Sequence, residues 1–326
     1  MIITRTPLRI SLGGGGTDLP SYYQQFGGFV ISAAINKYIY ITANRAFRHG
    51  YFLKYSKIEN VEKIDDIQHD IFREALRALD IAPSMDIVSI ADVPSGTGLG
   101  SSGSFTVGLL HALHAFKRHH ISTEDLARSA NHLEMTKLAE PCGKQDHYIA
   151  AYGGITCQTY NPDGSVEMAQ LAISEMTLRG LREHLMLFFT GYSRNASDLL
   201  HDQKSRSESG DLQMLENLHF IKDLGSRIKT VLEAGDLPGF ADMMHEHWLH
   251  KQTRSAQTSS ERINALYGIA RENGARGGKL VGAGGGGFLL FFTEDRARLR
   301  AAMTENGLQE MNFDFDFDGS IVQLRN

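Results

Sequence analysis

The chain of 326 residues carries only two cysteines, Cys142 and Cys157. Two cysteines with no CxxC pair are too few for a secreted disulfide scaffold, so a reducing cytoplasm is the expected compartment. Long apolar runs are missing too. No segment approaches the ~18 consecutive apolar residues of a membrane span, and the N-terminal stretch lacks the h-region of a signal peptide. Nor is there a surplus of positive charge: 33 Lys plus Arg stand against 38 Asp plus Glu, a formal charge of −5. Without a basic stripe to neutralise phosphates, nucleic acid is not an expected partner. What remains is a 42% hydrophobic chain, long enough at roughly 100 to 200 residues per domain for about two domains.

Glycine, by contrast, is plentiful, at 33 residues, and it clusters at Gly13 to Gly16, Gly96 to Gly103 and Gly282 to Gly287. Glycine is favoured where the chain needs positive φ or where backbone must approach a ligand too closely for a Cβ. Three such places suggest one polyanionic ligand approached from several sides. A flexible hairpin would explain one isolated cluster, but a four-glycine run abutting Phe288-Leu-Leu-Phe-Phe292 is poorly described as a linker. β-Branched and aromatic enrichment predicts strands at Phe29 to Ile35, Tyr38 to Ala43, Tyr51 to Tyr55, Met85 to Ala91, Gly154 to Tyr160, Leu185 to Thr190, Gly287 to Phe292 and Ile321 to Leu324. Helical patterns cover 69–79, 104–116, 122–138, 211–234, 238–256, 259–273 and 294–306, the third opened by a capping box at Ser122-Thr-Glu-Asp125. Interspersed strands and helices favour α+β or α/β over all-α, with a turn near Asp163-Gly164 opening a helix-richer second half.

The strongest chemical signal lies between the Met85 to Ala91 strand and the apolar 104–116 helix. There Pro94, Ser95, Gly96, Thr97, Gly98, Leu99, Gly100, Ser101, Ser102, Gly103 and Ser104 form a cradle for nucleotide phosphate. Successive backbone N–H groups converge on an anion, the helix N-terminus adds partial positive charge, and small hydroxyls reach phosphate or its metal. Gly98-x-Gly100-x-x-Gly103 matches the dinucleotide fingerprint, but the following segment reads as helix rather than as a strand ending in a ribose-binding acid. Gly274-Ala-Arg-Gly-Gly-Lys279 has one residue too few before its Lys for a Walker A loop.

Pro94 to Ser104 resembles the PxxxGLGSS motif of the GHMP kinases, the superfamily of galactokinase, homoserine kinase, mevalonate kinase and phosphomevalonate kinase. Thr6-Pro-Leu-Arg9 through Thr17-Asp18 resembles that family's first motif, and Lys279-Leu-Val-Gly-Ala-Gly-Gly-Gly-Gly287 its third, in the family's order. The resemblance implies an α+β, two-domain fold: a ribosomal protein S5 domain 2-like unit over 1–170, carrying the phosphate loop, and a ferredoxin-like unit over 171–326, with the active site in the cleft between. It further implies Asp146 as the catalytic aspartate, Arg9 as the cation beside it, Glu134 and Ser102 as Mg2+ ligands, and ATP as co-substrate. Asp18 resembles the aspartate that holds sugar hydroxyls, and Gly15, Gly16, Thr17, Gly284, Gly285 and Gly286 belong to the same substrate-binding loops. Taken alone, Glu134 is a solvated helix residue, Asp146 a helix N-cap and Arg9 a surface cation; the surrounding motifs override those readings.

A narrower resemblance, carried by Arg9 to Asp18, Leu53 to Lys57, Ile64 to Glu74, Lys144 to Asp146, Thr190 to Ser197 and His247 to Lys251, is to the D-glycero-D-manno-heptose 7-phosphate kinases. These enzymes phosphorylate the anomeric hydroxyl of a sugar phosphate, giving the 1,7-bisphosphate that leads toward GDP-heptose. That implies a cation for the acceptor phosphate, with Arg194 and Lys279 as candidates, though either could touch ATP instead. Alternatives are another sugar 1-kinase such as a fucokinase, a non-catalytic sugar-binding relative, and a Rossmann dehydrogenase. Small molecules rather than nucleic acid or membrane are the expected partners, and self-association is left open. His245-Glu-His247-Trp-Leu-His250 is not read as a zinc site, because HExxH is absent and the first two histidines point apart on a helix. Cys142 is read as a filler rather than a nucleophile.

Overall fold

The computed structural model describes residues 1–192, 197–255 and 258–325. The first half runs β1 (Ile2–Gly13), α1 (Pro20–Phe26), β2 (Gly28–Arg45), β3 (Tyr51–Lys54), β4 (Ile58–Val61), α2 (Asp70–Ala78), β5 (Met85–Ala91), α3 (Ser101–Phe116), α4 (Thr123–His132), α5 (Gln145–Tyr152), β6 (Ile155–Tyr160) and β7 (Val166–Gln170). The second runs α6 (Glu175–His184), β8 (Leu185–Phe189), α7 (Ser197–Glu208), α8 (Leu212–Glu233), α9 (Leu237–Gln252), α10 (Glu261–Glu272), β9 (Ala275–Leu280), β10 (Phe288–Thr293), α11 (Arg296–Glu305), β11 (Gln309–Glu310) and β12 (Ile321–Arg325). Strands form two sheets. The first has the order β12-β1-β2-β5-β3-β4 with β6 and β7 continuing from β2; the second is β11-β8-β10-β9. The last strand thus returns from the second half to lie beside β1.

β2 joins two segments that read separately in sequence. Its 18 residues form one strand, which pairs with β1 along its length, with β6 through its first half and with β5 through its second. The β1–β2 register shifts between Pro7 and Leu8, where proline offers no N–H to the ladder. β9, not foreseen from the sequence, is Ala-Arg-Gly-Gly-Lys-Leu, whose glycines conceal its strand character. At Gly277 a Cβ would lie 1.8 Å from the Ala241 carbonyl oxygen, so the strand can pack against α9 only without a side chain there.

α3 is apolar around most of its circumference and buried as expected. It packs on β1 and β2 with α4 and α5 alongside. Hydroxyls lock it to β1: Thr4 donates to the Gly108 carbonyl at 2.9 Å and Ser104 to the Pro7 carbonyl at 2.7 Å. The helix begins at Ser101, three residues earlier than its apolar pattern, after Gly100 in the left-handed region at φ 77°. These contacts set the phosphate loop against Arg9 of β1, whose N–H donates to the Leu99 carbonyl at 3.0 Å. The expected 122–138 helix is α4 followed by a π-helical turn, Leu133–Lys137. Such wide turns recur at functional sites, and this one carries Glu134.

The main core spans both halves, and a second cluster around Phe188, Trp248, Tyr267 and Phe291 fills one face of the second sheet. α8 lies against β1 and β2 and also packs on α9, tying the halves together.

Candidate active site

A cavity of about 1250 Å³ lies where the phosphate loop, α5, α9 and β9 meet. Pro94, Ser95, Gly96, Gly98, Gly100, Ser101, Ser102 and Gly103 line it. Thr97, Leu99 and Ser104 are buried behind them, Thr97 donating its hydroxyl to the Pro94 carbonyl at 3.0 Å. The loop is backed by the third glycine segment: a Cβ on Gly98 would lie 2.6 Å from the Val281 carbonyl oxygen, and one on Gly282 would lie 2.5 Å from the Gly98 Cα. Both glycines have positive φ. Gly282 and Ala283 line the cavity, whereas Gly284, Gly285 and Gly286 are turned toward Thr258 and Tyr192.

At the centre, Arg9 forks onto Asp146. Its Nε reaches Oδ1 at 2.7 Å and Nη2 reaches Oδ2 at 2.9 Å, while Nη1 donates to the Gly98 carbonyl. Bidentate charge-assisted pairing of this kind fixes orientation as well as proximity. Arg9 is 8% exposed and Asp146 30%, so the carboxylate is the open member of the pair. Asp146 sits in the first turn of α5, brought close to α3 because position 103 has no side chain; a Cβ there would fall 2.8 Å from the Asp146 Cβ.

Asp18 lies beside this pair, accepting from the Gly16 N–H at 3.1 Å and the Gln145 N–H at 3.1 Å. Burial raises its pKa and the Asp146 charge raises it further, against the pull of the backbone N–H groups of Gln145, Asp18 itself and Gly16. Gly15 and Gly16 line the cavity, but Thr17 is buried in the loop, its hydroxyl shared between the Gly14 and Phe29 carbonyls. Two further residues line this region, Ser11 and Gln145, and the Ser11 hydroxyl and Gln145 side-chain amide nitrogen are buried with no hydrogen-bond partner among the described residues.

Glu134 is buried beneath the α3 N-terminus. Ser102 Oγ donates to its Oε2 at 3.0 Å, Thr106 donates to Oε1, and His147 Nε2 lies 3.2 Å from Oε1. Burial pushes the carboxyl upward, yet the nearby charge of His147, with the two hydroxyls, holds it below its ordinary range. His147 is raised correspondingly, its burial outweighed by Glu134. A carboxylate kept ionised next to a hydroxyl at the N-terminus of α3 is a donor set that suits a hard, oxygen-seeking cation such as Mg2+. Cys142 lies within 4.8 Å of Glu134 and His147, but burial and then the field of Glu134, Asp146 and Asp18 drive its thiol pKa far up, so it stays protonated.

The opposite wall is cationic. Lys279 Nζ donates to the Leu12 carbonyl at 3.1 Å and lies 3.2 Å from His247 Nδ1. Its pKa falls to about 7, through burial first and then the charges of Arg9 and Arg254. Lys251 donates to the Leu280 carbonyl at 2.9 Å and to that of Gly282. Arg254 reaches Asn217 Oδ1 at 3.1 Å, Gln203 Oε1 at 3.3 Å and the Gly15 carbonyl at 3.3 and 3.4 Å. Arg194, the other expected phosphate ligand, lies outside the described residues. The three histidines near the end of α9 diverge: His245 hydrogen-bonds Tyr267 at 2.8 Å, His247 faces Lys279, and His250 stacks on Phe220.

Sequence reasoning did not find Ser11, Gln145, Lys251 and Arg254 as site residues, nor the arm lined by Tyr55, His69, Ile71, Val93 and Phe105. None of these lies in a glycine cluster. The run from His247 to Lys251 was visible as a family-like stretch, with nothing to say that Lys251 faced the cavity.

A glycine-backed phosphate loop, an ionised glutamate at its helix and a forked Arg–Asp pair describe a phosphotransferase site, and comparison with known proteins agrees. Residues 67–154 match the model of the GHMP kinases N terminal domain and residues 228–308 that of the GHMP kinases C terminal domain. The chain belongs to the GHMP kinase family. It is 30% identical to the D-glycero-alpha-D-manno-heptose 7-phosphate kinase of Campylobacter jejuni, with 96% of each chain covered. Among solved structures, a D-glycero-D-manno-heptose 1-phosphate kinase from Bacteroides thetaiotaomicron superposes with a TM-score of 0.81 at 24% identity, covering 99% of both chains. Lactococcus lactis galactokinase complexed with galactose gives 0.77 at 14% identity, covering 98% of this chain and 94% of that one. The fold is therefore that of the GHMP kinases. No helix among the described residues is long and apolar enough to cross a membrane.

Proposed function

We propose that the chain is an ATP-dependent kinase acting on the anomeric hydroxyl of D-glycero-D-manno-heptose 7-phosphate to give the 1,7-bisphosphate. The observation that carries this reading is the Arg9–Asp146 fork standing between the glycine loop on one side and the Asp18 pocket on the other. The 30% identity to a heptose 7-phosphate kinase over nearly the full chain supports the acceptor. Residues 1–170 supply the loop, Arg9, Asp18, Glu134 and Asp146, and residues 171–326 supply the cationic wall.

ATP phosphates lie along the N–H groups of Gly96 to Gly103, where the α3 N-terminus favours negative charge. The arm lined by Tyr55, His69, Ile71, Val93 and Phe105 takes the adenine. Ser102 and Glu134 would hold Mg2+, which would supply neutralisation of phosphate charge. Asp18, Ser11 and Gln145 grip sugar hydroxyls and aim the anomeric one at Asp146. The anomeric oxygen then bonds to the γ-phosphorus as the bond from phosphorus to the ADP oxygen breaks, and the hydroxyl proton passes to Asp146. An anomeric hydroxyl is more acidic than an ordinary alcohol, so a carboxylate is an adequate acceptor. Arg9 holds that carboxylate in place and stabilises charge on the transferring group.

The test is an ADP-release assay with heptose 7-phosphate, unphosphorylated heptose, L-fucose and galactose, with phosphorus NMR locating the new ester. A resonance for an anomeric phosphate, formed fastest from heptose 7-phosphate, is expected. Faster turnover of L-fucose would replace this acceptor with a fucokinase reading.

A further inference from the structure

Buried cations in proteins are ordinarily matched by a carboxylate, because an isolated charge loses its hydration without compensation. The wall formed by the end of α9 and by β9 departs from this. Lys251, Arg254 and Lys279 are each less than a tenth exposed. Among the described residues, every hydrogen bond they make is to a neutral acceptor: carbonyls of Leu12, Gly15, Leu280 and Gly282, the amides of Asn217 and Gln203, and the imidazole of His247. Burial, and then repulsion among these cations, holds both lysines below their ordinary pKa. His247 is depressed by the same two effects and is neutral. Asp18 is the carboxylate whose field reaches Arg254, and Asp146 is held by Arg9, so among the described residues no carboxylate is hydrogen-bonded to Lys251, Arg254 or Lys279 and the wall is left short of negative charge.

The cluster is placed for the acceptor rather than for ATP. Arg254 touches the Gly15 carbonyl, which adjoins Asp18, and its guanidinium lies in the field of Asp18. Lys279 reaches Leu12, at the end of β1 leading into the same first glycine loop. Only Lys251 approaches the nucleotide side, through Gly282, which packs on Gly98. Ser11 and Gln145, themselves less than a tenth exposed, line the same cavity, and the Ser11 hydroxyl and Gln145 amide nitrogen are buried there without a hydrogen-bond partner among the described residues.

We infer that Arg254, Lys279 and Lys251 form the subsite for the phosphate monoester of the acceptor sugar, with Arg254 as its principal ligand. This rests on the phosphorylated-acceptor reading above and adds Arg254 and Lys251 to the Lys279 expected from sequence. A dianion supplies the charge the wall lacks and keeps its lysines protonated. A planar guanidinium answers a phosphate with paired N–H groups that a lysine cannot offer.

The experiment compares kcat/KM for heptose 7-phosphate and for the unphosphorylated heptose in wild type, Arg254→Gln, Arg254→Lys and Lys279→Met, with the ATP KM measured for each. Arg254→Gln is expected to shrink the preference for the phosphorylated sugar roughly tenfold to a hundredfold, the worth of a charge-assisted contact, with Arg254→Lys recovering part of it. The ATP KM should stay within about threefold of wild type. Equal losses on the two sugars, or a loss confined to ATP, overturn the inference. Should Arg254→Gln fail to fold, as judged by ADP binding and circular dichroism, Lys279→Met, whose contact is to Leu12 on the acceptor side, carries the same readout. A wild-type enzyme that prefers the unphosphorylated heptose refutes the acceptor reading itself, whatever the variants do.

Discussion

Replacing Lys279 by methionine should make the nucleotide-free protein more stable, which is the reverse of the usual outcome for a buried residue. Lys279 is 2% exposed and, in this site, loses its proton near pH 7 rather than at its ordinary 10.5. At 1.36 kcal/mol per pH unit, that displacement corresponds to a cost of at most ~5 kcal/mol for keeping the ammonium inside. Methionine has a similar length and removes the charge, but it also forfeits the contacts to the Leu12 carbonyl and to His247, each worth ~1 kcal/mol. A net gain of up to ~3 kcal/mol remains, in line with other replacements of buried charge by apolar side chains. At ~2 °C per kcal/mol for a chain of this size, melting should rise by several degrees. The pH dependence carries the sign. Because the folded pKa lies below the unfolded one, the cost is full below pH 7 and fades as pH rises toward 10.5. The difference between wild type and Lys279→Met should accordingly be greatest near pH 6.5, shrink as pH rises and reverse by about pH 10, where the lost contacts outweigh the remaining charge cost. Thermal melts at several pH values, with and without heptose 7-phosphate, provide the assay; the acceptor should stabilise wild type more than the variant. A variant that melts lower at pH 6.5, or whose difference from wild type is flat with pH, refutes the reasoning about an unmatched charge.

Asp146→Asn should lower kcat by ~10² to 10⁴ while leaving ADP binding within about threefold, since the proton acceptor goes but the glycine loop stays; near wild-type turnover refutes its assignment. Glu134→Gln should raise the Mg2+ concentration needed for half-maximal rate, because an anionic ligand is lost, and an unchanged Mg2+ titration counts against that role. Gly103→Ala puts a Cβ 2.8 Å from that of Asp146 and should reduce kcat with little change in the KM for ATP; wild-type kcat would show that the α3–α5 approach is not critical.

The glycine loop and the helix that follows it were legible from sequence because they are built from consecutive residues. The phosphate loop, the α3 N-terminus and Ser102 lie within eleven positions, and positive φ at Gly96, Gly98 and Gly100 is a local property of glycine. Arg9, Asp18, Glu134 and Asp146 could be singled out only through their flanking motifs, since the pairings that give them meaning are long-range. Arg9 reaches Asp146 across 137 positions, and Ser102 reaches Glu134 across 32. β2 was divided in two and β9 overlooked because local propensity does not reveal which neighbour a strand pairs with or how closely a helix can lie. The cationic wall was the least visible part. A lysine or arginine on a helix is ordinarily solvated, and nothing in the run around Lys251 and Arg254 says otherwise. Only the docking of α9 and β9 against β1 turns those side chains inward and strips them of water, so their charge became a feature of the site through tertiary packing and not through sequence.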